Sequence, residues 1–279
     1  MIVTRFAPSP TGFLHLGHAF AAITAFEAGE RFLLRIEDID LTRCRAEFEA
    51  AVFEDLAWLG LHWEQPVLRQ SQRFDAYRNA LSRLDTQGLL YPCFCTRAKI
   101  AAEIARASEA PHGPEGPIYP GTCRKLGSGE RNTRIASGAP YAVRLDVRKA
   151  AAITGPLNFE EHGAGPSGEH GLIAAQPDLF GDAVLARKDT PASYHLAVVV
   201  DDAFQGVTLV TRGNDLFTAA HIQRLLQALL ALPTPAYAHH RLILDEQGRK
   251  FSKRDASVTL RNLRASGVTP GEIRRRLLG

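Results

Sequence analysis

The order of elements at the start of the chain constrains the fold more than any other feature. An apolar segment at 2–6 has the character of a strand, residues 7–14 form a bend rich in Pro and Gly, and helical periodicity runs over 16–28. A second apolar segment at 31–36 completes a βαβ unit of close to minimum length. We therefore predict an α/β fold built on a parallel sheet.

The helix start in this unit carries two histidines, His15 and His18, on either side of Gly17. Free backbone N–H groups and the helix dipole make such a terminus attractive to anions. The glycine lets the backbone approach a ligand closely, and the i, i+3 spacing lets both imidazoles face one side. The pattern predicts a nucleotide-phosphate site, with two solvated histidines at an ordinary helix start as the alternative.

A basic segment, Lys250–Arg254, follows a predicted strand at 242–244 near the other end of the chain. A preorganised cation stabilises negative charge on a transferring phosphate group. We predict Lys253 as the principal phosphate ligand, with Lys250 and Ser252 beside it. A solvated basic turn is the alternative. Together with the histidine segment, this loop predicts ATP held from two sides.

Acidic residues follow the second strand of the βαβ unit, at the edge where open α/β sheets bind ligands. Glu37 in a partly enclosed cleft can hold an ammonium group, although a charged turn is the alternative. The pair Asp201-Asp202 follows an apolar run at 196–200, and we expect it to cap a turn at a helix end. Mg²⁺ is expected as the counter-ion of ATP rather than as an ion bound by this pair.

Length and composition permit one domain with an insertion, or two modest domains. The chain has 279 residues and a net charge of +3, which allows a nucleic-acid partner without requiring one. No apolar run is long enough to cross a bilayer, and Met1 leads into a strand-like segment rather than a signal peptide. We expect a cytoplasmic protein with no membrane partner.

The chain changes character between 89 and 179, where Gly and Pro are frequent and strand-like pieces such as 141–147 are short. We predict that 89–179 forms an inserted α+β subdomain. Segments 1–88 and 180–256 would then form one discontinuous catalytic domain, followed by a short helical tail at 257–279.

Three cysteines within the predicted insertion form a partial metal-binding pattern. Cys93 and Cys95 are one residue apart, and Cys123 follows after a stretch rich in Gly and Pro. Three such thiolates can converge on a tetrahedral Zn²⁺ that still needs one ligand, for which His112 is the nearest conventional candidate. Three buried reduced thiols are the alternative. Zinc here would have a structural role, because it would hold together a region with little core of its own.

Five motifs, in order, resemble those of the catalytic domain of class I glutamyl-tRNA synthetases. They are R-F-A-P-S-P-T-G-F-L-H-L-G-H at 5–18, R-I-E-D-I-D at 35–40, Y-H-L-A-V-V-V-D-D at 194–202, G-V-T-L-V-T-R-G at 206–213 and K-F-S-K-R at 250–254. The first and last are similar to the HIGH and KMSKS signatures of that class. The resemblance implies a Rossmann-like, doubly wound parallel sheet with an inserted zinc-bearing subdomain.

The resemblance also implies L-glutamate and ATP as substrates, with His15, His18 and Lys253 as catalytic residues. The positions that it implies for glutamate are Arg5, Phe6, Ala7, Pro8, Ser9, Glu37, Tyr194 and Arg212. Those implied for ATP are His15, Gly17, His18, Lys250, Ser252 and Lys253. Arginines can present forked donors to carboxylates, and Glu37 can take the α-ammonium group. Which arginine takes which carboxylate stays open.

For zinc, the resemblance implies Tyr119 as the ligand that joins Cys93, Cys95 and Cys123. A phenolate is an unusual zinc ligand on general grounds. The choice between Tyr119 and His112 therefore stays open at this point.

The chain departs from the family pattern in two features, and in both it resembles a truncated branch of the family. Only 254–279 follows Lys253, whereas a separate anticodon-binding domain needs about 100 residues or more. Val198 stands where glutamyl-tRNA synthetases typically carry Asn. Enzymes of that branch transfer glutamate to the queuosine base at the wobble position of tRNA(Asp). We expect this chain to have the same activity and to be a monomer. The alternatives are a truncated or discriminating enzyme that charges a tRNA 3′ end, and a non-catalytic RNA-binding relic.

Overall fold

The structure is a computed structural model that describes residues 1–106, 112–114, 116–187, 190–244 and 259–278. Its strands are β1 (Val3–Phe6), β2 (Arg31–Ile36), β3 (Glu64–Arg69), β4 (Leu90–Cys93), β5 (His112–Gly113), β6 (Gly116–Pro117), β7 (Ala142–Leu145), β8 (Asn158–Glu161), β9 (Gly171–Ala174), β10 (Val184–Arg187), β11 (Leu209–Gly213) and β12 (Ala236–His240). Its α-helices are α1 (Leu16–Ala28), α2 (Ala46–Trp58), α3 (Phe74–Thr86), α4 (Arg97–Arg106), α5 (Ser128–Ala136), α6 (Val147–Thr154), α7 (Tyr194–Gln205), α8 (Ala219–Leu229), α9 (Leu260–Ala265) and α10 (Pro270–Leu278).

The predicted βαβ unit forms one part of a parallel sheet. β1 pairs in parallel with β2, and β2 pairs in parallel with β3. Helix α1 connects β1 to β2 over the predicted residues, and its inner face is fully buried at Ala19, Ala22 and Ile23. The prediction of an α/β fold with a parallel sheet is confirmed.

Strand β11 lies on the other side of β1. The Thr208 N–H donates to the Val3 carbonyl (3.0 Å), just before β11 begins. β11 pairs in parallel with β12, which pairs in parallel with β8, and β9 is antiparallel to β8. The carboxyl ends of β1, β2 and β11 therefore meet at one edge. Two of these strands, β8 and β9, come from within 89–179, and the proposed domain boundaries stay a prediction.

A second, antiparallel sheet is formed by β4, β7 and β10 in the order β4–β7–β10. A 3₁₀ helix at Thr122–Lys125 contacts β4 and brings two distant segments of the chain together. This packing places the second half of the cysteine pattern against the first half.

The structure corrects two sequence predictions. The strand ahead of the basic segment is Ala236–His240, not 242–244. The run 196–200 and the pair Asp201-Asp202 belong to the interior of α7 rather than to a turn at a helix end. The helix runs through the acidic pair because its stop signal is Gly206, in the left-handed conformation with φ 66°.

The hydrophobic core supports this architecture. Helix α8 buries Ile222, Leu225, Leu226 and Leu229 against α6 and α7. Within the described ranges, none of the helices has the length and apolarity that crossing a bilayer requires.

Candidate active site

The loop after β1 lies beside the carboxyl end of β2. The Glu37 N–H donates to the Pro8 carbonyl (3.0 Å), so this contact joins two of the predicted glutamate positions. Arg5 and Phe6 at the end of β1 are buried, and Ala7 and Ser9 continue the loop. The N-terminal positions of the predicted glutamate site are thus gathered at one end of the parallel sheet.

Arg5 is held by Asp202, a residue that the sequence had assigned to a turn at a helix end. Its Nε donates to Asp202 Oδ1 (3.0 Å), and its Nη1 donates to the Thr211 carbonyl (3.2 Å). The same Asp202 oxygen accepts from Arg35 Nη1 (2.7 Å), and Arg35 Nη2 lies 3.2 Å from Glu37 Oε1. Two arginines and two carboxylates therefore form one buried network behind the predicted amino-acid site.

Burial and charge act in opposite directions on the two carboxylates of this network. Burial would raise the pKa of Asp202, but Arg5 and Arg35 outweigh it and hold the pKa below its ordinary value. For Glu37, burial dominates over Arg35 and Arg5, and the pKa is raised. A cationic group bound at Glu37 would favour the ionised carboxylate, which is the behaviour expected of an ammonium site.

Asp201 has a separate structural role on the next position of α7. Its side chain is fully buried and accepts from Gln70 Nε2 (2.9 Å), Arg73 Nε (2.6 Å) and Tyr77 Oη (2.7 Å). These contacts fasten α7 to α3 and to the turn before it. Adjacent aspartates on one helix thus brace two different neighbouring segments.

Arg212 lies in β11 and is buried among uncharged partners. Its Nε donates to His239 Nε2 (2.9 Å), and its Nη1 donates to Gln223 Oε1 (2.9 Å) and lies 3.5 Å from Tyr194 Oη. Its Nη2 is buried and makes no hydrogen bond within the part of the chain that the structure describes. This guanidinium can therefore offer a donor group to a ligand.

A cavity of about 520 Å³ opens beside these residues. Its wall includes Ser9, Glu37 and Tyr194, three predicted glutamate positions from three different elements. The cavity is also lined by three arginines, Arg43, Arg144 and Arg187, and by Tyr119, which lies beside the three cysteines. The cavity can hold a small anionic substrate at one end and leaves room for a larger group at the other.

The predicted phosphate site lies at the start of α1. His15 is the N-cap residue, and its N–H donates to His18 Nδ1 (3.2 Å). The two imidazole rings stack with their centroids 3.8 Å apart. A Cβ on Gly17 would lie 3.2 Å from the His15 ring, so this glycine allows the ring to lie against the helix. The two histidines are thus fixed relative to each other at a helix N-terminus.

The basic segment that carries Lys250, Ser252 and Lys253 lies outside the described residues. The described chain resumes at Thr259, which forms a β-bridge with His15. The Leu260 N–H donates to the Leu14 carbonyl (2.8 Å). The chain that follows the basic segment is therefore attached directly beside the histidines.

The three cysteines of the insertion come together as the spacing predicted. Their Sγ atoms all lie within 4.8 Å of one another, and those of Cys95 and Cys123 are 3.5 Å apart. A tetrahedral Zn²⁺ with bonds of about 2.3 Å would separate two sulfurs by about 3.8 Å, so the spacing fits this ion. Tyr119 Oη is 3.6 Å from Cys95 Sγ, whereas the side chain of His112 is outside the described residues.

The protonation of this cluster depends on its burial. Burial raises the pKa of Cys95 to about 11, and burial also raises the pKa of Tyr119. For Cys93, burial is outweighed by hydrogen bonds with Tyr119 and Arg144, and the pKa is lowered. A coordinated metal would supply the positive charge that thiolates need and would displace the protons of these thiols.

Comparison with known proteins identifies the family. Residues 1–278 match the catalytic domain of the class I tRNA synthetases for E and Q, that is, glutamate and glutamine. The chain belongs to this class I synthetase family. Its parallel sheet, the histidines at the start of α1 and the residues around the cavity are therefore parts of a synthetase catalytic domain, and the family consists of ligases.

Named relatives in this class I family fall into two groups. A glutamyl-Q tRNA(Asp) synthetase from Rhodobacter capsulatus is 50% identical over 98% of this chain and 99% of its own length. A glutamate–tRNA ligase from Aquifex aeolicus is 39% identical over 96% of this chain and 55% of its own length. A glutamate tRNA ligase from Elizabethkingia meningosepticum, solved with its amino acid, has a TM-score of 0.72 at 28% identity. That match covers 92% of this chain, which spans about half of the solved protein.

Sequence reasoning missed the residues that support the site from behind. They are Arg35, Glu161, Asp202, Gln223 and His239. A signal existed for two of them, since Arg35 lies within an apolar strand pattern and Asp202 follows an apolar run. A charged residue within a buried pattern generally has a buried partner.

Proposed function

We propose that this chain activates L-glutamate with ATP and transfers it to the queuosine base at the wobble position of tRNA(Asp). The observation that carries the first step is that Ser9, Glu37 and Tyr194 line one cavity, with Arg212 Nη1 3.5 Å from Tyr194 Oη. The buried Arg212 guanidinium, whose Nη2 makes no hydrogen bond among the described residues, and the Glu37 carboxylate suit an amino acid that has an anionic and a cationic end. The 50% identity to a glutamyl-Q tRNA(Asp) synthetase supports the acceptor.

In the first half-reaction, an oxygen of the glutamate α-carboxylate attacks the α-phosphorus of ATP. The new P–O bond forms the glutamyl-adenylate as the bond to the bridging oxygen breaks, and pyrophosphate leaves with its electron pair. His15 and His18 would stabilise the phosphate charge at the helix N-terminus. Glu37, Arg5 and Arg212 would position the amino acid, so the acceleration comes from placement and electrostatics rather than from a side-chain nucleophile.

Lys253 would approach the phosphates from the opposite side, with Lys250 and Ser252 near it. The support for this is chain connectivity, because Thr259 is bridged to His15. The few residues between Lys253 and Thr259 can extend about 20 Å at most, so the lysine would be within reach of the start of α1. Mg²⁺ would accompany ATP as its counter-ion.

In the second half-reaction, a hydroxyl of the queuosine cyclopentene ring attacks the carbonyl carbon of the mixed anhydride. The new ester forms, AMP leaves, and the hydroxyl proton passes to solvent or phosphate. The cavity beyond Glu37 offers the space for this nucleoside, and Arg144 and Arg187 on its wall suit an RNA backbone. The glutamate and the base would meet at the junction of the two parts of the cavity.

We also propose a structural zinc site. Cys93, Cys95 and Cys123 would bind Zn²⁺ as thiolates, and Tyr119 is the favoured fourth ligand because of its contact with Cys95. The ion would hold β4 against the 3₁₀ helix Thr122–Lys125. Its chemistry is to fix this fold locally, since all four positions are taken by protein ligands.

The decisive experiment compares two preparations of tRNA(Asp), one with queuosine and one from cells that cannot make it. With labelled glutamate and ATP, we expect charging of the first preparation only, and nuclease mapping should place the label at the wobble nucleotide. Undiminished charging of the queuosine-deficient tRNA would reject the proposed acceptor.

The same experiment tests a second candidate, an enzyme that charges a tRNA 3′ end. The 39% identity to a glutamate–tRNA ligase favours this alternative. Label at the 3′ terminal nucleotide would support it. Glutamate-dependent exchange of pyrophosphate into ATP tests both candidates against an RNA-binding relic, since a relic would show no exchange although folded.

A further inference from the structure

We propose that Glu161 and His239 form a positioning pair that orients Arg212 for a carboxylate of the substrate while leaving its positive charge available. Neither residue lines the cavity of about 520 Å³, and neither takes part directly in the two proposed half-reactions. The inference rests on the proposed function, because it requires an amino-acid substrate with a carboxylate at Arg212.

The contact between Arg212 and His239 fixes the form of the histidine. A guanidinium has only donors, so the His239 Nε2 that lies 2.9 Å from Arg212 Nε must accept. The proton of the neutral ring is then on Nδ1, which lies 2.5 Å from Glu161 Oε2. His239 is therefore a neutral ring that donates a hydrogen bond to the Glu161 carboxylate and accepts one from Arg212.

Burial and neighbouring charge agree with this assignment. Burial lowers the pKa of His239 and Arg212 lowers it further, although the hydrogen bond to Glu161 acts in the other direction. The pKa of Glu161 is lowered, because hydrogen bonds from His239 outweigh its burial. At neutral pH the pair is therefore an ionised carboxylate and a neutral imidazole.

Glu161 is itself rigidly held. It is fully buried at the end of β8, and its Oε1 accepts the backbone N–H groups of Gly163 and His239, each at 2.8 Å. With Oε2 on the His239 ring, both oxygens are occupied. The orientation of the imidazole is thus determined by backbone contacts from β12 and from the loop that follows β8.

The interposed ring has an electrostatic consequence for Arg212. Arg5 and Arg35 both contact the Asp202 carboxylate directly, and their charge is largely compensated. Arg212 contacts His239, Gln223 and Tyr194, and no carboxylate lies within ion-pair distance of it among the described residues. A buried guanidinium without a carboxylate partner favours binding of an anion, and its buried Nη2 still has donors for it.

Two substitutions at the same position separate orientation from mere packing. In His239→Gln, the side-chain oxygen can replace the Nε2 acceptor for Arg212. In His239→Asn, the shorter amide can replace the Nδ1 donor for Glu161 but leaves Arg212 without an acceptor. His221→Asn is the matched control, because His221 is another buried histidine, in α8, that contacts Phe159 and Phe217 and is not among the contacts given for Arg212.

The assay is glutamate-dependent pyrophosphate exchange, with the KM for glutamate and the KM for ATP measured separately. We expect His239→Asn to raise the glutamate KM about ten- to a hundredfold with the ATP KM unchanged, because a hydrogen bond to a charged group is lost. His239→Gln should restore most of the affinity, and His221→Asn should leave both constants near those of the unmodified protein.

Equal glutamate KM values for the Asn and Gln variants, or an unchanged value in His239→Asn, would overturn the inference. If His239→Asn does not fold, Glu161→Gln replaces it, and there we expect a smaller rise in the glutamate KM alone; an unchanged value or an equal rise for ATP would count against the pair. Absence of exchange in the unmodified protein would instead reject the proposed function, so the two failures are distinguishable.

Discussion

Replacing Asp202 by Asn is expected to destabilise the protein strongly. The Asp202 side chain is 8% exposed and lies 3.0 Å from Arg5 Nε and 2.7 Å from Arg35 Nη1. The Asn variant keeps the size of the side chain but removes the negative charge from between two buried guanidinium groups. The change therefore tests whether the arginines depend on this charge rather than on packing.

The expected magnitude follows from the buried geometry. Removing one partner of a buried ion pair typically costs about 3–5 kcal/mol, because it leaves an uncompensated buried charge. Glu37 remains 3.2 Å from Arg35 and continues to offset part of the positive charge. We therefore expect the lower end of that range, about 3 kcal/mol, which is a large share of the 5–15 kcal/mol typical of a folded protein.

Urea unfolding followed by far-ultraviolet circular dichroism measures this loss as a lower transition midpoint at similar slope. The matched control is Glu64→Gln, which removes the charge from the exposed pair between Arg31 and Glu64. Exposed pairs contribute little, so its midpoint should not move. A loss below about 1 kcal/mol for Asp202→Asn would refute the argument that this carboxylate compensates both arginines.

Three further predictions concern separate parts of the chain. Burial raises the pKa of Asp55 from 3.8 to about 6, so between these pH values the folded state binds a proton that the unfolded state has lost. The free energy of unfolding should therefore fall as pH rises from about 4 to about 6. Asp55→Asn should flatten this part of the stability profile, and an identical profile would contradict the prediction. Protein purified without chelator should contain about one zinc per chain. Cys123→Ser should lose it and Cys44→Ser should keep it, as metal analysis would reveal; a zinc-free unmodified protein would remove the site. Lys253→Ala should lower glutamate-dependent exchange about a hundredfold or more, whereas the exposed Lys149→Ala should not, and a near-normal rate for the former would show that the phosphate assignment is wrong.

Local patterns predicted the first part of the fold well. Helix α1 and strand β2 have the predicted bounds, because apolar periodicity and the Pro- and Gly-rich bend act over a few neighbouring residues. The cysteine spacing likewise predicted the cluster, since Cys93 and Cys95 are near each other in sequence and the loop to Cys123 is long enough to return.

Local patterns failed where burial outweighed the ordinary preference of a residue. The pair Asp201-Asp202 has the composition of a turn, yet it lies inside α7 because Tyr77 and the arginines of other elements pair with it. The strand Ala236–His240 was missed because its two histidines and short apolar residues give weak periodicity. Its buried His239 is accommodated only through its contact with Glu161.

By itself, the sequence determined the βαβ unit, the order of the family motifs and the residues predicted to bind the substrates. These depend on residue types at short spacing, which the chain carries without reference to its partners. The tertiary structure alone decided which charges compensate one another. Arg5 and Asp202 are 197 positions apart in the sequence. Glu161 and His239 are 78 positions apart, yet the His239 ring lies between the Glu161 carboxylate and Arg212. The free energy of a buried charge depends on the groups that surround it in space, and only the folded chain brings those groups together.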